Sequence, residues 1–209
     1  MRTAVIIAGG RSTRFGDADK ATADLAGTPM IRRVGDRLVG VVDELVVNCR
    51  ADQRAAVLEA FEGYPHPVSI VEDETPDEGP MSGIRTGLRA ASGEYAVVVA
   101  CDMPFVDPGV ISYLFERVEE HDAAVPQLED KWFQTTHAVY RAEAMADACD
   151  EALAEGARKI IDPLFELDYV VVDESAVSEH GRLRTFENLN TREEFEEAAD
   201  ELASGDNRI

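Results

Sequence analysis

The run Tyr95-Ala96-Val97-Val98-Val99-Ala100-Cys101 has no polar alternation, as a central strand buried on both faces requires. Such a strand needs helices above and below its sheet, which restricts the chain to a layered α/β architecture. Other strand-like apolar runs lie at Thr3–Ala8, Glu44–Cys49, Val68–Val71, Ala123–Pro126, Thr136–Tyr140 and Tyr169–Asp173. Helical patterns separate most of them, at Met30–Val41, Asp52–Phe61, Met81–Ala91, Pro108–His121, Ala142–Glu155, Ala157–Phe165 and Thr191–Leu202. Thr28-Pro29, Asp107-Pro108 and Asn190 or Thr191 with Glu193 and Glu194 read as helix starts. Alternating β and α segments predict a largely parallel sheet, and in such sheets ligands bind beyond the carboxyl ends of the strands. Here those ends carry Ala8-Gly9-Gly10, Asn48, Glu72-Asp73 and Cys101-Asp102-Met103-Pro104.

At 209 residues, 45% of them hydrophobic, the chain is long enough for one substantial core. We expect a single domain over residues 1–203 and a disordered tail at 204–209. There is no 18-residue apolar segment, and the first strand begins at once without a charged leader, so the expectation is a soluble, cytoplasmic protein without membrane contact. Cys49, Cys101 and Cys149 are far apart and form no Cys-x-x-Cys pair, which points to buried free thiols. The net charge of −22 comes from 42 acidic against 20 basic residues and excludes non-specific nucleic-acid binding. Only Lys20, Lys131 and Lys159 are lysine. An acidic, lysine-poor surface suits a salt-in cytoplasm, where ~1 M salt shortens the Debye length to about 3 Å and screens the repulsion of an anionic substrate.

The chemistry concentrates after the first strand, in Ala8-Gly9-Gly10-Arg11-Ser12-Thr13-Arg14-Phe15-Gly16 followed by Asp19-Lys20. Gly9, Gly10 and Gly16 let successive N–H groups approach one anion, and Arg14 and Lys20 add fixed positive charge beside it. The spacing matches neither Gly-x-x-x-x-Gly-Lys-Ser/Thr nor Gly-x-Gly-x-x-Gly, which argues against a P-loop ATPase and a dinucleotide-binding dehydrogenase. A lysine kept beside such a loop in a chain that has nearly eliminated lysine points to function. Asp102, at the end of the most apolar strand, suits Mg²⁺ held by one or two carboxylates plus substrate phosphates. Around Gly79-Pro80-Met81-Ser82-Gly83-Ile84, backbone groups near Gly79, Ser82 and Gly83 could read a base edge, although Gly79-Pro80 is also simply a good helix entry. His137 reads as a structural sheet residue, and His66, His121 and His180 as surface residues.

These motifs, with Cys101-Asp102-Met103-Pro104-Phe105 and Phe186-Glu187-Asn188-Leu189-Asn190-Thr191, resemble the MobA-type molybdenum cofactor guanylyltransferases of the nucleotidyltransferase superfamily, in order from Val5 to about Phe195. The acidic composition resembles a halophilic archaeal member. The resemblance implies a Rossmann-like three-layer α/β/α nucleotidyltransferase fold with a mostly parallel mixed sheet. It places Ile7, Ala8, Gly9 and Gly10 at GTP, Lys20 on its phosphates, Asn48 and Asp73 on the nucleotide, Asp102 on Mg²⁺ and phosphate, and Asn188 and Asn190 toward the pterin substrate. Phe15 stands where Met is more frequent, and Met81-Ser82 where Leu-Ala is common in the guanine-side loop.

The implied reaction transfers GMP from GTP to the phosphate of Mo-molybdopterin, with catalysis resting on Lys20, Asp102 and Arg14. A phosphate nucleophile needs no strong general base, which fits a chain without a convincing triad. Delivery of an oxygen-sensitive product would suit contact with cofactor-insertion proteins or molybdoenzyme apoproteins. A molybdopterin cytidylyltransferase, a guanylyltransferase for a cobalamin precursor or phosphosugar, and a non-catalytic GTP-binding regulator stay open as alternatives.

Overall fold

The apolar runs become strands whose alternate side chains feed two separate cores. The computed structural model describes residues 1–10, 19–73 and 79–204. In chain order the elements are β1 (Arg2–Ile7), β2 (Asp24–Leu25), β3 (Thr28–Pro29), α1 (Met30–Leu38), β4 (Glu44–Asn48), α2 (Arg54–Ala60), β5 (Val68–Val71), α3 (Pro80–Ala90), β6 (Tyr95–Ala100), α4 (Pro108–Arg117), β7 (Ala123–Gln127), β8 (His137–Arg141), α5 (Ala142–Ala154), α6 (Ile161–Leu164), β9 (Tyr169–Asp173), α7 (Glu174–His180) and α8 (Arg192–Ala203). Short 3-10 turns lie at Lys20–Thr22 and Leu183–Phe186. Seven strands form one sheet in the order β5-β4-β1-β6-β8-β7-β9, while β2 and β3 make a separate small hairpin. Strand β8 runs antiparallel to β6 and β7, and the other neighbours are parallel. This is the expected mostly parallel mixed sheet between helical layers.

The layering follows from strand periodicity. Ala4 and Ile6 of β1, Leu45 and Val47 of β4, and Val97 and Val99 of β6 join one core with α1, α2, α4 and α7. Val5, Val46, Ala96 and Val98, the intervening residues, join a second core with α3, α5 and α6. Each fully buried Val, Leu or Ile contributes roughly 1.5–3 kcal/mol, so the two-sided burial of these central strands dominates the stability of the sheet. Helix α3 sits unusually close to β1, because a Cβ on Gly87 would lie 2.3 Å from Cγ1 of Val5.

Several local expectations need correction. Thr28-Pro29 does not cap α1 through a side chain, since it forms strand β3 and Pro29 precedes the helix with no side-chain cap. The helix expected over Ala157–Phe165 shortens to Ile161–Leu164, after a connection in which Gly156 takes φ +83°. Helix α7 and the β2–β3 hairpin were not foreseen. Asp107 does cap α4, accepting from Gly109 N–H at 2.8 Å, and Thr191 and Glu194 form a reciprocal capping box on α8. Cys49 and Cys149 are buried free thiols, whereas Cys101 is only partly covered. His66 and His121 are half-buried rather than fully on the surface, and His180 is exposed but stacks on Tyr113. Ser204 follows α8, and the rest of the expected tail lies outside the described residues. Among the described residues no helix is long and apolar enough to cross a membrane.

His137 is a structural residue of β8, as its sequence context suggests. It is fully buried, its Nε2 lies 2.9 Å from Thr185 Oγ1, and its Nδ1 has no partner among the described residues. Burial lowers its pKa from the ordinary 6.5 to about 3. Between those values the unfolded chain binds a proton that the folded chain refuses, so stability falls as pH drops below 6.5, by up to about 1.4 kcal/mol per pH unit. Urea unfolding between pH 7 and 4 should show this slope, reduced in His137→Gln, and an unchanged slope in that variant would remove the assignment. Gly87→Ala should cost about 1–3 kcal/mol through overpacking against Val5, with part recovered in Gly87→Ala/Val5→Ala.

Candidate nucleotide-binding site

The parallel strands end level with one another because their ladder continues one residue past each terminus. Ala8 N–H donates to the Asn48 carbonyl at 2.8 Å, Cys49 N–H to Val71 at 3.1 Å, and Cys101 N–H to Ile7 at 3.0 Å. The chain leaves β1 toward β4 on one side and returns through α3 to β6 on the other, so the end of β1 is a topological switch point. A cavity of about 810 Å³ opens at that rim. Of the residues singled out from the sequence, Ile7, Ala8, Gly9, Gly10, Lys20, Asn48, Asp73, Gly79, Gly83 and Asp102 all line it.

Lys20 reaches the cavity because Asp19 opens the 3-10 turn, its Oδ1 accepting from Ala21 N–H at 3.0 Å. Lys20, a residue only 6% exposed, donates from its ammonium to Asp102 Oδ2 at 2.9 Å. A charge so far out of water requires a partner of opposite sign. Asn48 is buried too, and its Nδ2 donates to Asp73 Oδ1 at 3.0 Å. Its place depends on Gly83, where a Cβ would fall 2.5 Å from Asn48 Oδ1. Gly79 precedes α3 at φ +91°, a left-handed conformation that favours glycine.

A rim of successive strand ends, two glycines and a buried lysine paired with a partly covered carboxylate is the form of a nucleotide site in an open α/β sheet. Residues 4–169 match the family model described as the MobA-like NTP transferase domain. The chain belongs to the MobA-like NTP transferase family. A relative from Natronomonas pharaonis, named as a probable molybdenum cofactor guanylyltransferase, is 52% identical over 97% of this chain and 98% of its own length. One of the same name from Haloferax mediterranei is 42% identical over 91% of this chain and 89% of its own. A crystal structure of molybdopterin-guanine dinucleotide biosynthesis protein A from Archaeoglobus fulgidus superposes with a TM-score of 0.79 at 28% identity, covering 98% of this chain and all of that one.

Not every residue picked from the sequence of this MobA-like domain reaches the cavity. Ser82 is fully buried, takes a hydrogen bond from Arg85 Nη2 at 3.3 Å, and is absent from the lining. Asn188 and Asn190 are also absent from the lining, although Leu189 N–H between them donates to the Asp102 carbonyl at 3.0 Å and ties their segment to the rim. Arg14 lies outside the described residues.

Several lining or supporting residues escaped the sequence reading. Arg50 touches both glycine carbonyls and Asp19. Buried Gln53 donates to the Ala8 carbonyl at 3.0 Å, and Thr136 enters the lining from the far side. Arg50 and Gln53 have one usable signal, their place within a few residues of a strand end that points at the rim.

The thiols at the rim are poor nucleophiles. Burial, with Glu72 nearby, pushes Cys49 up to about 11, and burial likewise raises Cys101. Thiolate chemistry is therefore unfavourable here near neutral pH.

Gly83→Ala should displace the Asn48 side chain and weaken nucleotide binding about tenfold, the scale of one buried hydrogen-bonded contact. Calorimetric titration, paired with a thermal scan showing the variant still folded, checks this, and undiminished affinity would contradict it.

Proposed function

We propose that this nucleotidyltransferase transfers GMP from GTP to the terminal phosphate of molybdopterin, forming the guanine dinucleotide of the cofactor and pyrophosphate. The observation that carries the reading is the pairing of buried Lys20 with the partly covered Asp102 at the switch point, within one cavity that also holds Gly9, Gly10, Asn48 and Asp73. The names borne by the relatives from Natronomonas pharaonis and Haloferax mediterranei support the choice of GTP and molybdopterin.

The charge balance of the cavity bears on the metal. Among its described lining residues, Asp19, Asp52, Glu72, Asp73 and Asp102 outnumber the cations Lys20 and Arg50, so a triphosphate needs a cation brought with it. No group of three or more His, Cys, Asp or Glu among the described residues could hold that ion alone. One carboxylate plus substrate phosphates is an ordinary Mg²⁺ arrangement, and Asp102 fits it, since Lys20 engages its Oδ2. When bound, Mg²⁺ would offset charge on the departing pyrophosphate.

The chain's own residues do the rest. Gly9 and Gly10 allow the phosphates to approach the backbone closely. Lys20 holds a desolvated ammonium where negative charge accumulates during displacement, and it costs little reorganisation because its turn is already capped by Asp19. Asn48 and Asp73 form a fixed polar edge for the nucleoside. The acceptor phosphate is an anion near neutral pH, so the site's task is to align two polyanions for in-line attack rather than to remove a proton. The acidic surface suits a salt-in, cytoplasmic setting, and hand-over to insertion proteins or apoenzymes would keep the product from oxygen.

Lys20→Ala and Asp102→Ala should each lower turnover by at least ~100-fold without unfolding the protein. Pyrophosphate release from GTP and molybdopterin, measured in ~2 M KCl to screen the acidic surface, tests this. Near-normal turnover would remove the altered residue from the mechanism. Titration of GTP, CTP, ATP and UTP with Mg²⁺ should favour GTP. Preference for CTP would move the reaction to cytidylyl transfer, and GTP binding without pyrophosphate release would indicate a regulator.

A further inference from the structure

We infer that Arg50 is a positioning residue for the phosphate half of the cavity, neutralising Asp19 and holding the Gly9 and Gly10 carbonyls so that a carboxylate-rich rim accepts a polyanion. The inference rests on the nucleotide reading above, and it gives a role to a residue that the proposed mechanism does not use. Arg50 lies two residues past the end of β4. From there one guanidinium reaches the Gly10 carbonyl at 2.9 Å and the Gly9 carbonyl at 3.3 Å through Nη1, and Asp19 Oδ2 at 3.1 Å through Nη2. Gln53 fixes its backbone, accepting from Arg50 N–H at 2.9 Å while donating to the Ala8 carbonyl.

Two consequences follow from these contacts. In a trans peptide the carbonyl and the next N–H point in opposite directions, so anchoring the Gly9 carbonyl leaves the Gly10 N–H on the side away from Arg50. Asp19 has two tasks on two oxygens. Oδ1 caps the turn that presents Lys20, and Oδ2 faces Arg50. Without Arg50 the carboxylate that presents Lys20 would also repel the phosphates Lys20 is there to meet. The Arg50 and Asp19 side chains are 25% and 27% exposed, so their attraction is only partly screened. The further pairing of Arg50 with Asp52, at 3.0 Å, involves a carboxylate that is 73% exposed and contributes less. A lysine could not replace this arrangement, because one ammonium cannot span the two carbonyls and the carboxylate that the planar fork reaches together.

The test separates the two halves of the ligand. Mg²⁺-pyrophosphate probes the anion half, guanosine the nucleoside half, and MgGTP both, each titrated calorimetrically into wild type, Arg50→Met, Arg50→Lys and Arg50→Met/Asp19→Asn. Arg50→Met should bind pyrophosphate and GTP at least about tenfold more weakly, with guanosine affinity within about twofold of wild type. Removing the uncompensated charge should restore at least about threefold in pyrophosphate affinity in the double variant, whereas a purely structural role would leave it as weak as Arg50→Met or weaker. Arg50→Lys should be at least about threefold weaker than wild type, and it carries the comparison if Arg50→Met does not fold. Wild-type pyrophosphate affinity in Arg50→Met or Arg50→Lys, or no recovery in the double variant, overturns the inference while leaving the nucleotide reading intact. Failure of the wild type to bind GTP or pyrophosphate overturns both.

Discussion

Strand β1 gives both of its hydrogen-bonding edges to parallel neighbours, β4 and β6, and the architecture of the cavity depends on that pairing. A strand so placed must be apolar on both faces, which is why Ala4, Val5 and Ile6 are fully buried. It must also release its chain at the same level as its neighbours release theirs. The hydrogen bonds of Ala8, Cys49 and Cys101 continue the sheet for one residue and bring the carboxyl ends of three strands to a common rim. Gly9, Asn48 and Asp102 come from distant parts of the sequence but are assembled by the same ladder.

Electrostatics then decides what such a rim can hold. The chain as a whole carries −22, and the cavity is itself rich in carboxylates, yet its nucleotide reading requires it to admit a polyanion. The structure resolves this locally. Asp102 faces Lys20, Asp19 and Asp52 face Arg50, Glu72 faces Arg54 at 3.3 Å, and Asp73 accepts from Asn48. Each lining carboxylate thus has a donor, and the negative surface outside stays compatible with an anionic ligand inside when salt screens the longer distances.

How much of this was legible in the sequence depends on the range of the signal. All seven strands of the main sheet were readable to within a residue or so at each end, the central ones because two-sided burial leaves uninterrupted apolar runs such as Tyr95–Cys101, and the more exposed edge strands β5 and β9 because they are rich in Val and Ile. The β2–β3 hairpin was not, since two residues per strand are too few to show a period. Helix α7 was missed because Val177 is its one fully buried residue and leaves no apolar stripe. At the site, glycines and a rare lysine stand out in a lysine-poor chain, whereas Arg50 is one arginine among many and gains meaning only once β4 ends beside β1. Asn188 and Asn190 were placed by family resemblance alone and Ser82 by its place in the Gly79–Ile84 segment, and none of the three lines the cavity, Ser82 because it faces the interior of α3's packing.

A third, smaller core has an effect on timing. Leu25 and Met30, which follow Lys20, and Phe105, which follows Asp102, pack with Leu189, Phe195 and Ala198 from the segment that leads into α8. Arg184 adds to this by lying 3.5 Å over the Phe105 ring while pairing with Glu201. The surroundings of both members of the central ion pair are therefore completed by residues translated well after either of them. A nascent chain that has already formed its parallel strands still lacks the packing that steadies Lys20 and Asp102 until the α8 residues leave the ribosome. Partly made copies would then have a sheet but no finished site.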